Sequence, residues 1–228
     1  MNLIQTQYLT ESIDNNLDCF DLVTINAKFP KYDDLIKLLS DTLQINKIAI
    51  AGGAIRDTLL QRPPKDIDVY LNIEDYCDEH RTHLLNKLVS INADIIDTSY
   101  KNTNLYSNID CILNNEHIQI MVNELEPQDL IREFDYNICQ YGYTNSALYS
   151  TTNAKLLIEY LQVMETSPYD FMDYNKWPDL KLCNINNNMN TMKRGYVFSY
   201  KYKVQFSKEL FTYLADLILV NEHEFDFA

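Results

Sequence analysis

Basic residues are scarce in this chain of 228: 19 Lys and Arg stand against 33 Asp and Glu, a formal net charge of −14. That balance has the wrong sign for gripping long nucleic acid over the whole surface, where affinity comes from cations that release condensed counterions. It leaves room for a local basic groove, and it suits a small-molecule, protein or short-RNA partner at least as well. Glycine is scarcer still, with four residues, two of them adjacent as Gly52-Gly53. Cysteine has no framework spacing. Cys19, Cys77, Cys111, Cys139 and Cys183 form an odd, scattered set, which argues for reduced thiols in a cytosolic compartment. Cys77, His80 and His83 drift around a helix in steps of three and bring no fourth ligand, so a polar helix face outweighs zinc there. Met1 to Gln5 shows no basic leader ahead of an apolar stretch, and Leu210 to Val220 is too short and too polar to span a bilayer. The expectation is a soluble cytoplasmic protein without a membrane partner. Seventeen tyrosines with many Asn and Ile and few Gly suggest an AT-rich viral or phage genome, which would make that compartment the host cytoplasm.

What is present suffices for a sizeable core, since 46% of the residues are hydrophobic. Residues 1–30 read as an irregular or short-strand lead-in. Apolar periodicity predicts helices over Asp33–Leu43, Ala54–Arg62, Glu74–Ser90 (Leu84, Leu85, Leu88 and Val89 inward) and Ala154–Glu165, with another from Pro127 and a last one over Ser207–Glu222. Strands are expected at Lys47–Ala51, Asp66–Leu71, Ala93–Asp97, Ile109–Leu113 and Ile118–Asn123, joined by Asn-rich turns. Tyr136–Thr144 suits either a strand or a buried helix. Asn184–Asn190 is polar and of low complexity, as a flexible loop would be. Lys193, Arg194, Lys201 and Lys203, interleaved with aromatics, form the basic stretch of the C-terminal part; lysines in water on an ordinary element outweigh a base-stacking platform there.

The chemistry concentrates in residues 51–68. Lys47-Ile48-Ala49-Ile50-Ala51 is a buried-strand pattern stopped by Gly52-Gly53, where the backbone is free to take positive φ and a ligand can approach the main chain. A helix follows and ends at Pro63-Pro64. Free amides at such a helix start favour an anion. Asp66-Ile67-Asp68-Val69 then alternates, which puts both carboxylates on one strand face, where they repel unless cations sit between them. Magnesium is held in this manner, by one or two carboxylates and substrate phosphates. Arg56 and Lys65 are placed to pair with phosphate charge. Strand, Gly-Gly, helix with Arg-Asp, then Asp-x-Asp is far more specific than any of its parts.

These residues resemble the nucleotidyltransferases of the DNA polymerase β superfamily, and among them the head domain of CCA-adding enzymes and bacterial poly(A) polymerases. Gly52, Gly53, Arg56, Asp57, Leu59, Leu60, Arg62, Asp66 and Asp68 match that family's opening motif position by position. The resemblance spans roughly residues 45–145. It implies an α+β nucleotidyltransferase fold, with a mixed sheet flanked by helices over 1–165 and a small, mostly helical extension over 166–228. It also implies that Gly53 contacts the triphosphate, that Asp66 and Asp68 hold Mg2+ or Mn2+, and that Asp57 is a local hydrogen-bonding residue. Arg132 and Asp135, in the stretch Arg132-Glu133-Phe134-Asp135-Tyr136-Asn137, resemble a second motif on the nucleotide and primer side. Met192-Lys193-Arg194-Gly195-Tyr196 is a fainter echo of a third.

The chain departs from the family pattern twice. Gln119 stands where the third carboxylate is expected, with Asp110 or Glu116 as substitutes; an amide can coordinate a metal but cannot serve as an anionic base. The C-terminal part is also too short for the neck, body and tail of a CCA-adding enzyme, which disfavours templated tRNA-tail synthesis. The resulting expectation is transfer of a nucleoside monophosphate from a nucleoside triphosphate to a hydroxyl on RNA (tRNA-like) or protein, with pyrophosphate released. The alternative is a silent relative that binds nucleotides or a partner.

Overall fold

Runs of alternating or continuous apolar residues pair into one eight-stranded sheet. Its strands are β1 (Leu22–Ile25), β2 (Ile48–Ala51), β3 (Ile67–Asn72), β4 (Asp94–Asp97), β5 (Ser107–Leu113), β6 (Glu116–Asn123), β7 (Tyr141–Thr144) and β8 (Ala147–Thr151). Their order is β1-β8-β7-β2-β3-β6-β5-β4, and β3 with β6 is the parallel pair in it. This computed structural model describes residues 22–25, 28–98, 107–144, 147–166, 178–181, 183, 189–208 and 210–212. The architecture is the α+β arrangement expected, a mixed sheet flanked by helices.

The helices are α1 (Pro30–Leu43), α2 (Gly53–Leu59), α3 (Asp78–Ser90), α4 (Pro127–Leu130), α5 (Thr152–Thr166) and α6 (Met189–Tyr202). Proline opens α1 and α4, where its fixed φ and missing N–H cost nothing. One sheet face, carrying Ile48, Ile50, Ile67, Val69, Leu71, Ile109, Ile118, Ile120 and Tyr141, packs in a single core with α1 (Tyr32, Ile36, Leu39), α2 (Ile55), α3 (Leu84, Leu88) and α5 (Leu157, Ile158, Leu161). The other face is only partly covered. Ala51, Tyr70 and Met121 pack there beneath Leu130, Ile131 and Phe134, and the polar ends of β3, β5 and β6 lie beyond that patch.

Several boundaries differ from the sequence expectation. Helix α2 stops at Leu59 rather than Arg62, because Gln61 takes φ 54°. Val89 is 59% exposed, since the buried face of α3 follows the four-residue step from Leu84 to Leu88 and Val89 falls one position past it. Tyr136–Thr144 divides into a 3₁₀ turn (Asn137–Cys139) and β7. Strand β8 was not foreseen. The lead-in up to residue 21, the core of the Asn-rich stretch at 184–188 and the last helix beyond 212 lie outside the described residues. Among the described residues no helix is long and apolar enough to cross a membrane.

The C-terminal segments fold back onto the sheet domain. Two-residue strands β9 (Asp179–Leu180) and β10 (Gln205–Phe206) pair in parallel. Asn137 fastens them, its Nδ2 donating to the Asp179 carbonyl and its Oδ1 accepting from the Lys181 amide. Gly195 of α6 lies so close to Tyr136 that a Cβ there would come within 2.5 Å of the phenol oxygen. Gly195→Ala should therefore destabilise the fold by about 1–3 kcal/mol through overpacking, read as a lower midpoint in urea, and Tyr136→Phe should restore part of the loss.

Candidate active site

The site begins at the end of β2. Gly52 has φ 74° and ψ −130°, a combination open to glycine and strained for any side chain. It turns the chain from β2 into α2, and its amide donates to the Tyr141 carbonyl at 2.9 Å. A Cβ on Gly52 would lie 3.6 Å from Asp68 Oδ2 and 3.7 Å from the Phe134 ring. The glycine turn and the carboxylate strand thus meet, as the motif requires.

Strand register sets the remaining geometry. Asp68 pairs with Ala51 on one side and Gln119 on the other, and Gln119 pairs with Asp110. Ala51, Asp68, Gln119 and Asp110 therefore form one row on the incompletely covered face. Asp66 sits just ahead of β3, two positions from Asp68, and shares its face by alternation. Burial pushes the Asp68 carboxyl up to about 7; the Asp66 charge adds to this, and Arg194, Arg56 and His117 oppose it. A divalent cation between the two aspartates would supply the missing positive charge.

The substitutes for the third carboxylate are otherwise engaged. Asp110 lies a whole strand beyond Gln119 and its Oδ1 is 2.5 Å from His117 Nε2. Glu116 pairs with Lys31 at 2.8 Å. Among the described residues no three His, Cys, Asp or Glu side chains come together as a metal-binding group. Two carboxylates and the Gln119 amide remain, a set of hard oxygen donors that fits magnesium only if phosphate and water fill the other positions.

The cations expected at phosphate are placed differently from one another. Arg56 is 6% exposed. Its Nε donates to Asp57 Oδ1 at 2.8 Å, and its guanidinium lies over the Tyr202 and Phe198 rings at 4.7 and 5.4 Å. Its charge is balanced internally, a role the motif did not reveal. Asp57 is the hub, taking a second hydrogen bond from the Tyr202 hydroxyl at 2.7 Å, with Lys201 Nζ 3.6 Å away. Burial alone would raise the Asp57 carboxyl, but the bond and charge of Arg56, helped by Tyr202 and Lys201, hold it below the usual carboxylate range. Lys65 is exposed, 3.7 Å from Asp66 Oδ2. Arg132 is exposed on the 3₁₀ turn Ile131–Glu133 and pairs with Asp129 at 3.2 Å. Asp135 is buried and faces Arg194 of α6 at 3.1 Å. The basic stretch at 193–203 was legible as charge, but only folding shows that Arg194 and Lys201 turn toward this site.

The fold is nucleotidyltransferase-like, of the kind seen in the head domains of CCA-adding enzymes. The structure is similar to a Thermotoga maritima CCA-adding enzyme complexed with tRNA, at 12% identity and a TM-score of 0.60, over 84% of this chain and 43% of that one. It is also similar to a CCA-adding enzyme in complex with ATP (14% identity, TM-score 0.55, 85% and 43% covered) and to a tRNA nucleotidyltransferase with a primer tRNA and an incoming ATP analogue (10%, 0.55, 81% and 50%). The chain spans about half the length of these enzymes, or less, and at such identities the likeness establishes the fold. Residues 23–176 match the family described as Gad2, Gabija anti-defense 2 family protein, and the chain belongs to that family. No curated protein matches the sequence.

Two outcomes test this geometry. Asp57→Ala strands a buried guanidinium and should cost about 3–5 kcal/mol, measured by denaturant unfolding. Asp68, with a folded value near 7 against an ordinary 3.8, keeps a proton between those pH values that the unfolded chain has released, so its contribution to stability is full at low pH and lost as pH rises to about 7. In chelator, Asp68→Asn should therefore raise the melting temperature over wild type most at pH 8, with the gap closing toward pH 4. A gap that does not change with pH would contradict the raised Asp68 carboxyl.

Proposed function

We propose that this protein is a metal-dependent nucleotidyltransferase that moves a nucleoside monophosphate from a nucleoside triphosphate to an acceptor hydroxyl. The acceptor oxygen forms a bond to the α-phosphorus, the α–β bridging P–O bond breaks, pyrophosphate leaves, and the acceptor's proton passes to solvent. Asp66 and Asp68 would bind Mg2+ or Mn2+, with the Gln119 amide oxygen within reach. The ion would acidify the attacking hydroxyl and neutralise the leaving pyrophosphate. The turn at Gly52-Gly53 would admit the triphosphate against the main chain, and Lys65, Arg132 and Asp135 would border it. Most of the acceleration would come from positioning and electrostatics. Residues 1–165 would form the transferase unit, completed by the extension over 166–228.

The observation that carries this reading is the approach of Gly52 to Asp68, with a 3.6 Å separation at the Cβ position, since it joins phosphate turn and metal strand in one place. The similar structures include complexes with tRNA and with ATP, which supports a nucleotide substrate and leaves RNA or protein as acceptor. The family's name ties its members to countering Gabija defence, which fits a viral or phage protein working in the host cytoplasm, with nucleotide transfer as its means.

A second reading, a silent relative that binds nucleotides or a partner protein, is favoured by one specific feature. Gln119 occupies the row beside Asp68, where a third carboxylate was expected. Labelled triphosphates, magnesium and cell extract separate the readings. Label should enter an RNA or a protein fraction, and fall to background with Asp66→Ala and with Asp68→Ala. Triphosphate that is bound but never turned over would remove the enzyme and leave the binding protein.

A further inference from the structure

Building on the transferase reading, we propose that Arg194 is the cation that grips the triphosphate, the role the motif assigns to Arg56. Arg56 is committed elsewhere. Its Nε serves Asp57, its guanidinium lies over two aromatic rings, and Gly53 lacks a side chain where a Cβ would come within 3.2 Å of its Nη2. Swinging toward a phosphate would leave Asp57 buried beside a lost partner, at a cost a binding site would have to recover. Lys65 is a solvated side chain, 90% exposed, and Arg132 is paired with Asp129.

Arg194 combines anchorage with access. Its side chain is 51% exposed; Nη1 lies 3.1 Å from Asp135 Oδ2, Nη2 lies 3.8 Å from Cys139 Sγ, and the guanidinium lies over the Phe198 ring at 5.6 Å. Arg56 Nη1 touches the same sulfur at 3.7 Å, so both guanidinium groups contact one buried thiol. Asp135 directly follows Phe134, whose ring bounds the space at Gly52. The arginine is thus held by the segment that lines the glycine turn. A half-exposed planar guanidinium with five donors has N–H groups to offer phosphate oxygens while keeping Asp135. It reaches the site from α6, outside the stretch that carries the glycine and aspartate motif.

The test is calorimetric titration of the full chain with Mg·ATP, with magnesium tripolyphosphate and with adenosine. Arg194→Gln should weaken the first two about 10- to 100-fold, as expected for a lost charge-assisted hydrogen bond, and leave adenosine unaffected. Arg194→Lys should recover part of the loss, because it keeps charge without the fork. Asp135→Asn combined with Arg194→Gln removes the stranded carboxylate; it should regain thermal stability without regaining triphosphate affinity. If that double variant binds triphosphate like wild type, Arg194 merely neutralises Asp135 and the proposal is overturned. Wild type that binds and transfers, with Arg194→Gln doing so equally well, sinks Arg194 alone. Wild type that binds neither Mg·ATP nor tripolyphosphate sinks the transferase reading and Arg194 with it.

Discussion

The register between β2, β3 and β6 is the constraint on which the site depends. Side chains alternate faces along a strand, so a slip of one residue would send Asp68 into the helix-covered core and bring Ile67 or Val69 out. The slip is prevented by the core itself. Ile50, Val69 and Ile120 are fully buried on the opposite face, and exchanging them for carboxylates would cost far more than any ladder hydrogen bond returns. Burial of aliphatic residues on one face therefore holds charged residues in line on the other.

That alignment carries an electrostatic cost. Two carboxylates share one partly enclosed face, and burial and mutual repulsion push Asp68 toward neutrality. Positive charge is needed nearby, yet the most conspicuous cation of the motif, Arg56, is neutralised by Asp57. The Arg56–Asp57 pair serves architecture instead. With Tyr202, Phe198 and Lys201 it fastens α6 to α2, and so holds the C-terminal segment against the glycine turn. The same helix then returns Arg194 to the neighbourhood of Asp68.

The polar row beyond Asp68 differs from a three-carboxylate site. Gln119 contributes no charge, and Asp110, the nearest acid in the row, is in contact with His117. Fewer fixed anions mean less repulsion to relieve and weaker attraction for a second cation; under the proposed function, a triphosphate would have to supply more of the metal's ligands. Substrate and metal binding would then be strongly coupled.

Much of this was legible before folding. The strand, glycine pair, helix and Asp-x-Asp follow from local periodicity and from chemistry carried by adjacent residues, and the fold class follows from the same elements. Gly52 had to be glycine because its φ is positive, and that requirement is local. The fate of each charged side chain was not local. Whether Arg56 faces phosphate or Asp57, whether Asp110 joins Asp68 or His117, and whether Arg194 is solvated or turned inward depend on partners tens of residues away. Sequence determined which groups exist and their spacing along the strand; the order of strands in the sheet and the return of α6 decided which charges meet, because Coulomb energy and burial depend on distance in space.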